Sequence, residues 1–155
     1  MDMRMIYRLI YVSMIAAEPA ALPTVVEDIL VVSVANNHRD GITGFLLCDG
    51  FNFAQALEGQ QDKVEACFAR IARDPRHVQP VVREIGWREE RAFARWSMCG
   101  LTLSSRDDAL LQPPEIDFDL ARVSPGALWQ YLTSLAVRHG SELDAEHERL
   151  LEICD

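Results

Sequence analysis

Residues 42–59 read ITGFLLCDGFNFAQALEG, two apolar runs joined by Asp49-Gly50. An aspartate followed by glycine between such runs is the strongest short-range hairpin signal, because glycine accepts a positive φ and aspartate bonds the turn's own backbone. Ile42 to Cys48 and Phe51 to Glu58 are therefore read as antiparallel neighbours. Alternation along the second run puts Gln55 on the same face as Phe53 and Leu57, among core side chains. A buried amide without partners costs about 1–3 kcal/mol, so this glutamine must have something to bond.

Upstream of the hairpin, Met5 to Ser13 alternates Met5, Tyr7, Leu9 and Tyr11 with Ile6, Arg8, Ile10 and Val12, a strand covered on both sides. Pro23 suits the first turn of a helix, and Val25, Val26, Ile29, Leu30 and Val34 recur with helical period as far as Asn36 and Asn37. His38 to Gly41 ends that helix. Downstream, Asp62 and Glu65 suggest a capping box, Val64, Cys67, Phe68 and Ile71 form an apolar stripe, and Asp74-Pro75 stops it. Val78 to Trp87 and Trp96 to Leu103 read as two more strands around a charged connector. On the second of these, Trp96 and Met98 are two apart and are expected on one face.

The order strand, helix, strand, strand, helix, strand, strand favours an α+β fold: a ferredoxin-like sandwich, a five-stranded mixed sheet with both helices on one face. That leaves the other face open. After a loop containing Pro113-Pro114, Ser124-Pro125 caps a helix with Leu128, Tyr131, Leu132 and Leu135 in register. Gly140-Ser141 resets the chain into a last helix carrying Leu143, Leu150, Leu151 and Cys154. This C-terminal helical pair is expected to cover the open face, giving a division into residues 1–103 and a helical extension over residues 104–155.

A chain of 155 residues, 49% hydrophobic, buries one core and is too short for two ordinary domains. No stretch reaches the roughly 18–20 uninterrupted apolar residues of a membrane span, and the N-terminus lacks a secretion-signal pattern. A cytoplasmic protein is expected. The cysteines at 48, 67, 99 and 154 are scattered, with no metal-ligand spacing, and are read as free thiols. A net charge of -9 and a pI near 4.9 argue against nucleic acid or an anionic membrane as partner. Acidity gathers at the end, where residues 100–155 carry 4 basic and 11 acidic side chains.

Five strings recur in order: RLIYVS (8–13), NNHRDGITG (36–44), FAQALEG (53–59), RDPRH (73–77) and FARWSM (93–98). Together they resemble the BLUF family, blue-light sensors that use FAD, over about residues 5–103. The resemblance implies an oxidised flavin between the two helices, with FAD the family default and FMN or riboflavin also compatible. It places Tyr11, Gln55 and Asn37 around the ring's polar edge, with Asn36 beside them. Arg70, Asp74, Arg76 and His77 are implied near the ribityl chain and phosphate. Trp96 and Met98 are implied at the flank of the pocket, where their contacts change as the signal leaves. Pro75 and Met14 depart from the more usual polar or basic residues of the family.

Each of these residues also has a plain structural reading. Tyr11 is ordinary mid-strand core, Asn37 a helix C-cap, Arg70 and Asp74 a surface pair four residues apart, and Trp96 with Met98 simple packing. By family analogy Tyr11 supplies an electron and a proton under blue light, Gln55 routes the proton, and a rotated or tautomerised Gln55 then shifts absorption to the red. No effector domain accompanies the sensor, so a separate partner protein in trans, and a homo-oligomer, are expected. The acidic terminal helices, with Trp129 and Tyr131, are the candidate surface for it. An acylphosphatase-like hydrolase is the main alternative, but the loop Met14 to Leu22 lacks a phosphate-cradling arginine and carries Glu18. A flavin oxidoreductase would show a Gly-x-Gly-x-x-Gly fingerprint, which is absent. A flavin-free interaction module on the same fold is the third reading.

Overall fold

The computed structural model describes residues 5–103 and 120–154. The expected loop with Pro113-Pro114 lies outside the described residues. In chain order the elements are β1 (Ile6–Ile15), a short 3-10 turn (Pro19–Ala21), α1 (Leu22–Asp40), β2 (Thr43–Cys48), β3 (Asn52–Gly59), α2 (Gln61–Ala72), β4 (His77–Arg88), β5 (Gly100–Thr102), α3 (Pro125–Arg138) and α4 (Gly140–Cys154). The five strands form one sheet in the order β4-β1-β3-β2-β5. All neighbours are antiparallel except β2 and β5.

Chemistry at the turns explains where the elements end. Asp49 Oδ1 accepts from the backbone N–H of Phe51 at 2.8 Å and Asn52 at 2.6 Å, and Gly50 takes φ 94°. That locks the hairpin so that Cys48 faces Phe53 and Leu46 faces Gln55. Gly41, at φ 68°, caps α1 in the left-handed region that glycine adopts without penalty. The expected capping box does not form: Gln60 is the N-cap of α2 without a side-chain bond, and Gln61 Nε2 instead donates to Glu65 Oε1 at 2.8 Å. Ser124 does cap α3, accepting from Ala127 N–H at 3.1 Å.

Strand alternation sorts the core into two layers. Tyr7, Leu9, Tyr11, Phe53 and Leu57 face α1 and α2, joined there by Leu30, Val34, Val64 and Met98. Ile10, Val12, Phe45, Leu47, Ala54 and Ala56 face the opposite way, against Leu128, Tyr131, Leu132 and Leu135 of α3. Burying such side chains contributes roughly 1.5–3 kcal/mol each, so both layers are needed for one stable sheet.

Three expectations need correction. The C-terminal pair does not lie wholly on the second face: Leu143 at the start of α4 joins that core, but α4 then runs to the other layer and packs on α1, with Leu150 buried there and Cys154 Sγ donating to Val31 O at 3.4 Å. The last strand is also shorter than the span 96–103. Finally, Trp96 and Met98 do not share a face. Gly44 N–H bonds Trp96 O while Leu46 N–H bonds Cys99 O, so two steps along β2 match three along the neighbouring segment. The extra residue makes a bulge-like kink that sends Trp96 to the α3 layer and Met98 to the α1–α2 layer.

By length and composition alone, Pro19–Asp40 is apolar enough to cross a membrane. Here Leu30 and Val34 pack on the sheet, and Glu27 pairs with Arg149 of α4 at 2.7 Å.

Candidate functional site

A cavity of about 180 Å³ lies between α1 and α2 above the central strands. Its floor is Tyr11 of β1 and Gln55 of β3, directly opposed in the register. Asn36 and Asn37 reach it from the last turns of α1, and Arg70 from α2. Asp74, Arg76 and His77 close the end where α2 passes into β4. The structure thus brings eight of the ten residues singled out in the sequence around one cavity, while Trp96 and Met98 do not line it.

Tyr11 donates its hydroxyl hydrogen to Gln55 Oε1 at 2.5 Å, and both side chains are 2% exposed. Burial, with Cys67 and Asp74 adding to it, pushes the Tyr11 hydroxyl far above the usual phenol range, so it keeps its proton at any working pH. Gln55 Nε2 points the other way, to Met98 Sδ at 3.2 Å. A thioether is a weak acceptor.

Asn37 is 2% exposed, and its Nδ2 donates to Ser97 O at 3.0 Å. Its Oδ1 receives the Cys67 thiol at 3.7 Å, a long contact from a weak donor, and burial holds that thiol above its ordinary pKa. Hence two buried amides at one cavity wall have sulfur where stronger partners fit.

At the far end, Asp74 accepts from Arg76 through both its backbone N–H, at 2.9 Å, and its guanidinium. Those bonds hold the Asp74 carboxyl below the usual range against the opposing effect of burial. The alternative reading of Arg70 and Asp74 as a surface pair is not what forms, since Asp74 pairs with Arg76. Arg70 turns to Asp40 of α1 at 3.6 Å, across the gap between the helices. His77 sits between Ser13 Oγ and the Ile71 carbonyl, each 2.6 Å from a ring nitrogen. The carbonyl can only accept, which puts a proton on Nε2, while Ser13 Oγ can either give to or take from Nδ1.

Sequence reasoning missed several residues. Ile29 and Ser33 line the cavity two turns and one turn, respectively, before Asn36 and Asn37, and Cys67 and Ile71 flank Arg70 on the α2 face. The spacings i, i+4 and i+7 were there to find them. Glu58 carried no such signal. Its carboxylate, 1% exposed, accepts from Ala92 N–H at 2.7 Å, Phe93 N–H at 2.9 Å and Thr43 Oγ1 at 3.2 Å. Arg91 reinforces the clamp on Glu58 O at 3.0 Å and Gly41 O at 2.9 Å. This fixes the connector that leads into Trp96 and Met98.

Trp96 lies behind the sheet, 2% exposed, its Nε1 donating to Asp144 Oδ1 of α4 at 2.9 Å. Of the two residues expected at a partner surface, one is internal and the other half-buried. Tyr131 is buried, and Trp129 lies under the Arg8 guanidinium, 3.6 Å from its ring centroid.

Fold and cavity together define a ferredoxin-like α+β domain whose ligand cleft lies between two helices and is floored by a buried, hydrogen-bonded Tyr–Gln pair. The family model for "Sensors of blue-light using FAD", BLUF, matches residues 6–99, and the chain belongs to that family. Its members bind flavin and sense blue light. A photoactivated adenylate cyclase subunit alpha-like protein FB of Euglena gracilis is 30% identical over 128 residues, 81% of this chain and 12% of that protein. The blue light- and temperature-regulated antirepressor BluF of Escherichia coli (strain K12) is 37% identical over 84 residues, 52% of this chain and 21% of the antirepressor. Among solved structures, photo-activated BlsA matches at TM-score 0.77 and 28% identity, covering 85% of this chain and 95% of BlsA. Dark-state BlrB matches at 0.68 and 28%, covering 88% and 99%. The chain spans only a small part of the curated relatives' length, and the cyclase and antirepressor activities are theirs.

The residues present fit a flavin ring. Flat, polar-edged and carrying both carbonyl oxygens and a ring N–H, it offers Gln55 and Asn37 stronger partners than the sulfur atoms they meet.

Proposed function

We propose that the chain is a flavin photosensor, not an enzyme, with FAD as its chromophore and the Tyr11–Gln55 hydrogen bond as its switch. The observation that carries this is the buried Tyr11 hydroxyl at 2.5 Å from an amide whose other end meets only a thioether. A bound oxidised flavin supplies a blue-absorbing chromophore that becomes a strong oxidant when excited.

Tyr11 is kept protonated by burial and is placed to give up an electron together with its hydroxyl proton. Gln55 Oε1 already holds that proton's hydrogen bond and is its first acceptor. When the electron and the proton both return to Tyr11, Gln55 can re-form the bond in its original orientation or, rotated or tautomerised, in another. Either change presents a different donor to the cavity, and rotation also withdraws Nε2 from Met98. Asn36 and Asn37 hold the ring's polar edge, while Arg70, Asp74, Arg76 and His77 serve the ribityl and phosphate end.

One rearranged hydrogen bond biases a two-state element by about 1–3 kcal/mol, a several-fold to about hundredfold population shift. Such an output suits a change in affinity for a separate effector protein, or between copies of this chain, in the cytoplasm. Residues 1–103 form the sensing unit and residues 104–155 the extension that carries the signal outward. In support of a coupled extension, α3 completes the core behind the sheet and α4 reaches both layers.

Extracting the pigment of purified protein tests the chromophore. The expected result is FAD bound near one per chain, with Tyr11→Phe still yellow but unresponsive to light. Colourless protein that takes up no supplied flavin would refute the reading.

A further inference from the structure

Met98 and Trp96 meet different layers, and the residue between them is held from two sides. Asn37 in the cavity wall donates Nδ2 to the Ser97 carbonyl at 3.0 Å. From the other side, His147 of α4 takes the Ser97 backbone N–H on Nε2 at 3.1 Å, with Ser97 Oγ 2.9 Å from the same nitrogen. Ser97 is 7% exposed. One helical turn earlier on the same face of α4, Asp144 takes Trp96 Nε1 at 2.9 Å and Arg95 at 2.8 Å. Because Met98 is the residue that Gln55 touches, any movement of its chain segment must pull on these two anchors.

We propose that His147 is a positioning residue that ties α4 to the flavin cavity, its unprotonated Nε2 holding the Ser97 peptide whose carbonyl Asn37 holds from the cavity side. The proposal rests on the light-sensor reading above and names the contact by which the signal leaves.

A backbone N–H can bond only a nitrogen with a free lone pair, so the His147 proton must sit on Nδ1. If Nε2 is protonated, it can still donate to Ser97 Oγ, but it faces the Ser97 N–H donor to donor and that bond is lost. The surroundings favour the neutral ring. Burial and His38 on α1 push the His147 pKa below its ordinary value, and Asp144 and Glu148 on α4 act in opposition. Arg95, the charged group on the third packed segment, is engaged by Asp144. Acidification through this lowered pKa therefore breaks the Ser97 N–H bond to α4, while the Asp144 anchor and the Tyr11–Gln55 pair are untouched.

The test is hydrogen–deuterium exchange of peptides covering residues 140–154, in darkness and under blue light, with visible spectra from the same flavin-loaded samples. In wild type the exchange of these peptides changes with light. His147→Leu keeps the reversible spectral shift, but its light-minus-dark exchange difference falls about fivefold or more, the lower end of ordinary coupling between sites. His147→Gln, whose amide oxygen can replace Nε2 as acceptor, restores the difference and keeps it as pH falls below the ordinary histidine range, where wild type loses it. The proposal is overturned if His147→Leu retains the wild-type exchange difference, or if wild type shifts its spectrum without any change over 140–154. Wild type without a spectral shift would sink the sensor reading instead, so the two failures are read separately.

Discussion

Glu58 offers the sharpest test of how the connector is held. Its carboxylate is 1% exposed and receives two backbone N–H groups, from Ala92 and Phe93, plus the Thr43 hydroxyl. Glu58→Gln keeps the shape but leaves one acceptor oxygen and sets an NH₂ against one of the two N–H donors. One hydrogen bond to a charged group is lost, worth about 1.5–3 kcal/mol, and a buried donor is left unsatisfied. With a urea slope of roughly 2 kcal/mol per M for a domain of this size, the unfolding midpoint should fall by about 1 M at unchanged slope. Because the same clamp leads into Trp96 and Met98, dark recovery after illumination should change as well. A midpoint within about 0.2 M of wild type would show that the Glu58 clamp does not hold the connector.

Two other substitutions probe the site from different sides. A Cβ on Gly44 would sit 2.1 Å from Ala56 O and 2.9 Å from Met98 Cε, so Gly44→Ala should either fail to fold or displace Met98 and alter the light-induced spectral shift; soluble protein with a wild-type spectrum and photocycle would contradict the packing. Arg76→Gln removes the main cause of the lowered Asp74 pKa, which should rise toward the ordinary carboxylate value in a carboxyl NMR titration. The sign follows from linkage. A depressed folded pKa gives stability that is present above the unfolded value and lost as pH falls through the folded one, so the wild-type advantage over Arg76→Gln should hold at neutral pH and vanish in acid. An advantage that persists at pH well below Asp74's titration would refute that origin.

What could be read in the sequence was what local rules control. The Asp49-Gly50 turn set the β2–β3 register, and strand alternation put Tyr11 and Gln55 each on a core face; that they stand opposite each other follows from the β1–β3 pairing, which the turn does not fix. Asn36, Asn37 and Arg70, which line the same cleft, were indicated by the family resemblance rather than by local pattern. The misses lie where tertiary contacts override local pattern. Trp96 and Met98 look like strand neighbours, but an extra residue against β2 splits them, and nothing local announces that residue. Arg70 looked paired with Asp74 because α2 alone was in view, whereas the nearer carboxylate is Asp40 of α1. Glu58 gave no signal because its partners, Ala92 and Phe93, are backbone groups more than thirty residues away. Tyr131 was read both as part of an apolar stripe and, with Trp129, as a candidate partner surface, because helical period does not show that Arg8 and β1 meet that side of the helix.

The central claim is that Gln55 reorganises its hydrogen bonds around a bound flavin when light is absorbed. Visible spectra of the purified, flavin-loaded protein before and after blue light test it most directly, with Gln55→Leu beside wild type. A shift of the flavin band to the red that reverses in the dark without bleaching, in wild type but not in Gln55→Leu, is the predicted result. A Gln55→Leu protein that binds flavin and still shows the wild-type shift would contradict the account.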